Sequence, residues 1–249
     1  MFDGSETHEC KAAGTFRNDG ITPIVGDYVF FDSEKKFIEK IEGRKNSLIR
    51  PPVSNIDQII IVVSPVNPAP DYFMIDKLTA LAISKGITPI IAINKIDLKN
   101  YKELEKTYKK LFPVIKLAAK MRKNISKIRK VLKGKTSALA GNSGVGKSTI
   151  IKALGLAAEV GETSKIQRGK HTTRHVELMQ LGRDSFIMDT PGFSMLDTEI
   201  EGSIIDFFPE ISGTKCLFTD CTHKENAKGC EVYGKMSKSR YESLMELIK

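Results

Sequence analysis

The stretch TSALAGNSGVGKSTII, residues 136–151, decides the fold. Its first five residues have the length and apolar content of a buried strand, and Gly141 ends that run. GNSGVGKS, residues 141–148, is G-x-x-x-x-G-K-S, and a helix is expected to follow it. The glycines let the backbone curl so that successive N–H groups point at phosphate oxygens, and the start of the next helix adds a favourable dipole. Lys147 is placed to neutralise β and γ phosphates, and Ser148 to set its hydroxyl on Mg²⁺.

Working downstream, SFIMD (residues 185–189) reads as a strand that ends in Asp189-Thr190-Pro191-Gly192. D-x-x-G alone arises about once per chain of this size by chance, so its value lies in position. A strand end after the phosphate loop is where a Mg²⁺-ordering aspartate belongs. Gly192 can there offer its N–H to the γ phosphate and register its loss. Between the two motifs lies GKHTTRH, residues 169–175, where Thr173 is the candidate to complete the metal shell as a switch residue. An ordinary polar loop is the plain alternative for Thr172 and Thr173.

Working upstream, PIIAINKIDLK (residues 89–99) is an apolar run that breaks into Asn94-Lys95-Ile96-Asp97. A buried carboxylate at Asp97 can accept from guanine N1–H and the 2-amino group, and adenine offers neither there. Asn94 can hold neighbouring base and backbone groups, and the Lys95 stem can lie along the ring. The order along the chain is base reader, phosphate loop, switch threonine, switch aspartate, whereas ordinary GTPases place the base reader last. Sites on parallel sheets assemble from strand ends in space, so chain order is free to change when old termini lie close. The reading is a circularly permuted GTPase.

The remaining pattern fits. Residues 58–63 and 88–93 are apolar and β-branched, as strands covered on both faces should be, and residues 71–85 between them predict a helix closed by Gly86. Residues 101–111 predict another helix. Ile125, Ile128 and Leu132 recur at helical spacing, and residues 176–181 and 185–189 predict a hairpin or neighbouring strands. Before this, GDYVFF (26–31) and KFIEKI (36–41) read as strands of a small β-module, and Pro51-Pro52 suggests a boundary. The expected organisation is a short β-module over residues 1–52, an α/β P-loop GTPase domain over 53–200, and a small helical zinc-binding domain over 201–249.

Hydrophobic content of 41% and charged content of 28% are ordinary for a soluble globular chain. No apolar run approaches a membrane span, the N-terminus has no signal-peptide core, and four cysteines do not make a secreted disulfide framework, so a cytoplasmic home is expected. Of the net charge of +9, residues 99–135 carry +12, with fourteen Lys and Arg against Glu103 and Glu105, so the rest sums to −3. That concentration suggests a polyanionic partner, nucleic acid first among them; a solvated pair of Lys-rich helices is the other reading.

KCLFTDCTHKENAKGC, residues 215–230, supplies Cys216, Cys221, His223 and Cys230. Three thiolates and one imidazole form a complete structural zinc set with no position left open for catalysis. Unlinked cysteines in a small helical tail are the alternative. Beyond them Tyr241, Leu244, Met245 and Ile248 form a stripe at i, i+3, i+4, i+7, expected to pack on the zinc module.

Taken together, GDYV, RKNSLIRPPVSNIDQ, NKIDL, GNSGVGKST, GKHTT, DTPGF and the cysteine spacing followed by SRYESL resemble the ribosome small-subunit-dependent GTPases, the RsgA type. The resemblance implies an N-terminal OB-fold, a permuted GTPase, a zinc-bearing C-terminal domain, and GTP hydrolysis to GDP and phosphate stimulated by the small ribosomal subunit. It also implies a role in late maturation of that subunit; the partners expected are the subunit and its rRNA, with no membrane, and the chain is expected to be a monomer. The positions matching the family's GTP site are Asn94, Lys95, Ile96 and Asp97, with Gly141, Asn142, Ser143, Gly144, Val145, Gly146, Lys147, Ser148 and Thr149. Its single zinc falls on Cys216, Cys221, His223 and Cys230; Mg²⁺ is expected on Ser148 and Thr173 from the motif chemistry above.

Two departures stand out. Some fifty residues before Pro51 are few for a five-stranded OB-fold, and the family's base-supporting element is here Ala118-Ala119-Lys120, without a serine hydroxyl. Where many GTPases orient water with a glutamine, this chain has Phe193. The family suggests His171 helps; that His171 contacts RNA or only shapes its loop is the competing reading. Two other functions remain open at this point: action on the large subunit or another RNA, and an RNA-binding module with a structural nucleotide site.

Overall fold

The structure is a computed structural model, and it describes residues 1–12, 14, 16, 20–156, 176–189 and 200–249. His171, Thr173 and Gly192 lie outside the described residues. The strands are β1 (Lys11–Ala12), β2 (Val29–Asp32), β3 (Phe37–Ile41), β4 (Ser47–Leu48), β5 (Val53–Ser54), β6 (Gln58–Val63), β7 (Thr88–Ile93), β8 (Val114–Lys116), β9 (Thr136–Ala140), β10 (Glu177–Gly182) and β11 (Ser185–Asp189). The helices are α1 (Tyr72–Ser84), α2 (Lys102–Tyr108), α3 (Ile125–Leu132), α4 (Lys147–Ala153) and α5 (Lys238–Leu247).

Six strands form the central sheet in the order β10-β11-β9-β6-β7-β8, parallel except for the β10–β11 hairpin. Counted from the phosphate strand β9 as first, that order reads second, third, first, fourth, fifth, sixth. The chain's own numbering is therefore a rotation of a continuous series, as a circular permutation requires. The join runs from α3 through residues 133–135 into β9, and the opening falls between β11 and β6.

Strand β6 shows why the sheet is stable. Every residue of QIIIVV is buried, and they alternate between the two faces. Ile59, Ile61 and Val63 meet Ile75, Leu78 and Leu81 of α1 on one side, with Leu104 and Tyr108 of α2. Ile60 and Val62 meet Ile125, Ile128 and Leu132 of α3 and Ile150 of α4 on the other. Each such side chain contributes roughly 1.5–3 kcal/mol on burial. Helix α1 starts where Asp71 Oδ1 accepts from the Met74 N–H (3.0 Å), and Gly86 turns the chain out at φ +66°.

The N-terminal module has a three-stranded sheet, β1-β3-β2, among the described residues. Pro51 and Pro52 form the turn of the β4–β5 hairpin, whose Leu48 and Val53 are buried in the same core as β6. Asp27 closes the joint: it accepts from Arg44 Nε (2.7 Å), Ser54 Oγ (2.6 Å) and the Ile24 N–H (2.8 Å).

At the other end, a 3₁₀ turn at Ile204–Phe207 and helix α5 pack on α1 through Ala80, Phe208, Ile211, Val232 and Leu244. The packed face of α5 differs from the expected stripe. Arg240, Ser243 and Leu244 are buried, whereas Ile248 is exposed. The cause is electrostatic: α5 turns its arginine inward to meet acids on other elements, so the buried face is not the most apolar one. No helix of the described residues is long and apolar enough to cross a membrane.

Candidate functional site

The C-terminal ends of β9, β6, β7 and β11 converge, and each delivers one part of the site. Strand β9 is followed by Gly141, whose φ of +133° and lack of a side chain let the loop start against β6; a Cβ there would lie 2.2 Å from Val62 O. Asn142 is half-buried, Ser143 and Gly144 are exposed, and Val145 is buried against Ile150 and Leu139. Gly146 (φ +102°) then turns the chain into α4. Ser148 is exposed on the first turn and Thr149 half-buried below it.

Strand β7 is followed by Asn94, which is buried and used at both ends. Its Nδ2 donates to Val145 O (2.9 Å) and its Oδ1 accepts from the Ala119 N–H (3.0 Å). One side chain thereby ties the base-reading loop to the phosphate loop and to the Ala118-Ala119-Lys120 segment. The contact to that segment is made by backbone, so the missing serine does not break it. Lys95 Nζ donates to Gly144 O (2.7 Å) and to Asn67 O (2.5 Å), a second tie between the loops. Ile96 N donates to Leu117 O (3.4 Å).

Asp97 corrects an expectation. Its carboxylate is exposed on the turn after β7 rather than buried. The turn lifts it clear of the core, so it stands at the rim, reachable by a base that enters from solvent.

Lys147 Nζ donates to Gly141 O (2.6 Å) and Asn142 O (3.1 Å), inside the loop it follows. Burial holds its pKa below the ordinary lysine value, and the charge of Asp189 pulls the other way. Asp189 ends β11 in register with Leu139 of β9, which sets it beside the phosphate loop. The structure thus brings together both described halves of the proposed phosphate and metal machinery.

Cys216, Cys221, His223 and Cys230 form a separate cluster with all four ligand atoms within 4.8 Å of one another. His223 Nδ1 lies 3.5 Å from Cys216 Sγ and 3.9 Å from Cys230 Sγ. Tetrahedral Zn–S and Zn–N bonds of about 2.3 and 2.0 Å give S···N edges of about 3.5 Å, so the donor set fits one zinc ion. Backbone N–H groups of Glu231 and Tyr233 donate to Cys216 and Cys230 sulfur (3.4 and 3.5 Å), as thiolate ligands require.

Sequence reasoning missed the Asn67 carbonyl and the buried Arg240 cluster, because both depend on partners far away in the chain. Arg240 forks onto Glu210 (Nε–Oε1 2.5 Å, Nη2–Oε2 2.9 Å) and reaches Asp76 Oδ1 (2.5 Å), which also accepts from Tyr108 OH (2.9 Å).

A glycine-rich phosphate loop after the central strand, tied to an asparagine that follows a strand earlier in the chain, defines a circularly permuted P-loop GTPase. The family model described as RsgA GTPase matches residues 41–199, and that described as RsgA N-terminal domain matches residues 2–37. This chain belongs to the RsgA GTPase family. It is 39% identical over 264 residues to the small ribosomal subunit biogenesis GTPase RsgA of Alkaliphilus metalliredigens, across 98% of this chain and 90% of that relative. It is 44% identical over 240 residues to the small ribosomal subunit biogenesis GTPase RsgA 2 of Oceanobacillus iheyensis, across 90% and 81%. Among solved structures, YjeQ from Thermotoga maritima superposes with a TM-score of 0.80 at 32% identity, covering 96% of this chain and 87% of that one. YloQ, described as a circularly permuted GTPase, superposes at 0.74 with 29% identity, covering 99% and 87%.

Proposed function

We propose that this chain hydrolyses GTP to GDP and phosphate in response to the small ribosomal subunit, and that it acts in that subunit's late maturation and leaves after hydrolysis. The observation that carries the nucleotide reading is Asn94, which joins the base reader, the phosphate loop and the Ala119 backbone in one buried contact. Near-full-length identity to relatives named small ribosomal subunit biogenesis GTPases supports the subunit as partner.

In this reading Asp97 accepts from guanine, and Lys95 lies along the base while its ammonium stays on the loop carbonyls. Backbone N–H groups of residues 141–149 hold the phosphates, and Lys147 shifts from its own loop carbonyls onto them. Ser148 and Thr173 would hold Mg²⁺, with Asp189 ordering its shell; that ion supplies charge neutralisation on the phosphate oxygens. Gly192 offers its N–H to the γ phosphate. His171 orients water or orders the switch loop when the partner binds. One zinc on the Cys₃His cluster is structural. We assign residues 1–52 to the OB-like module, 53–200 to the GTPase and 201–249 to the zinc-binding domain, in a cytoplasmic monomer that binds rRNA and no membrane.

The test is GTP turnover by the purified chain alone, with small subunits and with large subunits. Strong stimulation by small subunits only is expected. Equal turnover under all three conditions refutes the ribosomal part and leaves the GTP site standing.

A further inference from the structure

Two adjacent residues of α5 grip two different bodies. Arg240, 1% exposed, reaches from α5 to Asp76 on α1, and its fork holds Glu210. Its guanidinium stacks over Phe208 at 4.8 Å, with Tyr108 and Phe112 at 5.7 and 5.8 Å. The next residue, Tyr241, donates its hydroxyl to the backbone oxygen of His223 (2.8 Å), a member of the Cys₃His cluster. One peptide step therefore separates the hold on the GTPase core from the hold on the metal cluster.

Helix α1 is itself anchored at the nucleotide site. The loop before it, residues 64–70, gives the Asn67 carbonyl to Lys95, and Pro68 Cδ lies 3.7 Å from where a Cβ on Gly144 would sit. Asp71 then caps the helix, and Asp76 follows five residues on. The base-reading lysine, the phosphate loop, α1, Arg240, Tyr241 and the cluster form one continuous chain of packed or hydrogen-bonded groups.

An apolar contact would hold α5 to α1 about as tightly, since burying charges is costly and well-packed hydrophobic residues commonly replace such sets without loss of stability. What a planar, forked guanidinium adds is direction. We propose that Arg240 is a positioning residue: it fixes the Cys₃His module in one orientation relative to the nucleotide site, so that a contact made by the module on the small subunit aligns the site for hydrolysis. This rests on the subunit-stimulated turnover proposed above.

The experiment uses the full chain with Arg240→Met, the milder Glu210→Gln, and the apolar set Asp76→Leu/Glu210→Leu/Arg240→Met. Expected are basal turnover and GDP affinity within twofold of the parent for Arg240→Met, with one zinc per chain. Turnover at saturating small subunit should fall at least tenfold, with a much smaller change in the subunit concentration for half-stimulation. Glu210→Gln should show the same split at severalfold, and it decides the matter if Arg240→Met does not fold. Full stimulation by the apolar set shows that packing suffices and overturns the proposal, as does a parallel fall of basal and stimulated turnover in Glu210→Gln. A second readout needs no ribosome. Zinc chelation should speed amide exchange in Tyr72–Ser84 of the parent and not of Arg240→Met; equal responses overturn the brace. An unstimulated parent that passes the exchange test overturns the subunit reading instead.

Discussion

Replacing Gly146 by alanine tests the central claim that one asparagine locks two motifs together. The added methyl would sit 2.3 Å from Asn94 Nδ2, and the backbone there is at φ +102°, where an L side chain is itself strained. The strain costs about 1–2 kcal/mol. To clear the methyl, Asn94 must move, and it loses the bonds to Val145 O and from Ala119 N. At about 1–1.5 kcal/mol net each, those two add about 2–3 kcal/mol. Nucleotide needs the assembled loop, so the penalty reads out as GDP affinity. The sum of about 3–5 kcal/mol is an upper limit of roughly two to three and a half decades in Kd. The cause is isolated by a double-mutant cycle. Once Asn94→Ala has removed both bonds, adding Gly146→Ala should cost only the backbone strain. The two substitutions should therefore be non-additive by about 2–3 kcal/mol, or roughly 30- to 150-fold in Kd, measured by titrating a fluorescent GDP analogue. Additivity within about 0.5 kcal/mol refutes the reasoning.

Three further outcomes are expected. Asp97→Asn exchanges a double acceptor for a donor–acceptor pair, so GTP should bind at least about 100-fold more weakly and XTP more tightly than in the parent, read by calorimetric titration of each nucleotide. Removing zinc with a chelator should leave α4 and β9 protected from amide exchange while α5 and Ile204–Phe207 lose protection, because the small cluster around Phe208 and Leu244 lacks the area to hold alone. In acid, Asp27 and Asp57 matter most at the N-terminal joint. Burial works against their charge, yet Arg44, Ser54 and the Ile24 N–H hold Asp27 below its ordinary 3.8, and Lys45 and the Thr136 N–H do the same for Asp57. With folded values below unfolded ones, their stabilisation is complete well above pH 3.8 and is lost as pH falls through the folded values. Asp27→Asn should flatten the acid-unfolding curve below about pH 4 and leave its slope near neutrality unchanged; an equal change of slope at both ends would contradict the assignment.

The phosphate loop and the base reader were legible because each is a contiguous run whose chemistry is local. Strands β6, β7, β9 and β11 were equally plain, since a parallel strand covered on both faces is apolar along most of its length, and all four fall on the expected residues. Other features were hidden for identifiable reasons. Strand β8 has three residues behind Pro113, too few for any period to show. The β4–β5 hairpin is two residues a side, and the proline pair at its turn reads equally well as a boundary. Asp97 read as buried because selectivity arguments favour a dry carboxylate, yet the turn that presents it leaves it at the surface. Arg240 and Asp76 stand 164 positions apart, and a buried arginine defeats any rule that seeks the inward face of a helix by its apolar residues.

The rotated strand order also governs how the protein is made. A chain synthesised from its N-terminus releases β6, β7 and β8 first, while β9, which must lie against β6, emerges some seventy residues after β6 ends. During that interval β6 presents a bare edge, apolar from Ile59 to Val63, the kind of edge that recruits other chains. The second half of that interval is residues 99–135, with its charge of +12. Over that segment the net charge of the emerged chain climbs from −2 to +10, so like-charge repulsion between nascent chains grows up to the point where β9 emerges to close the edge.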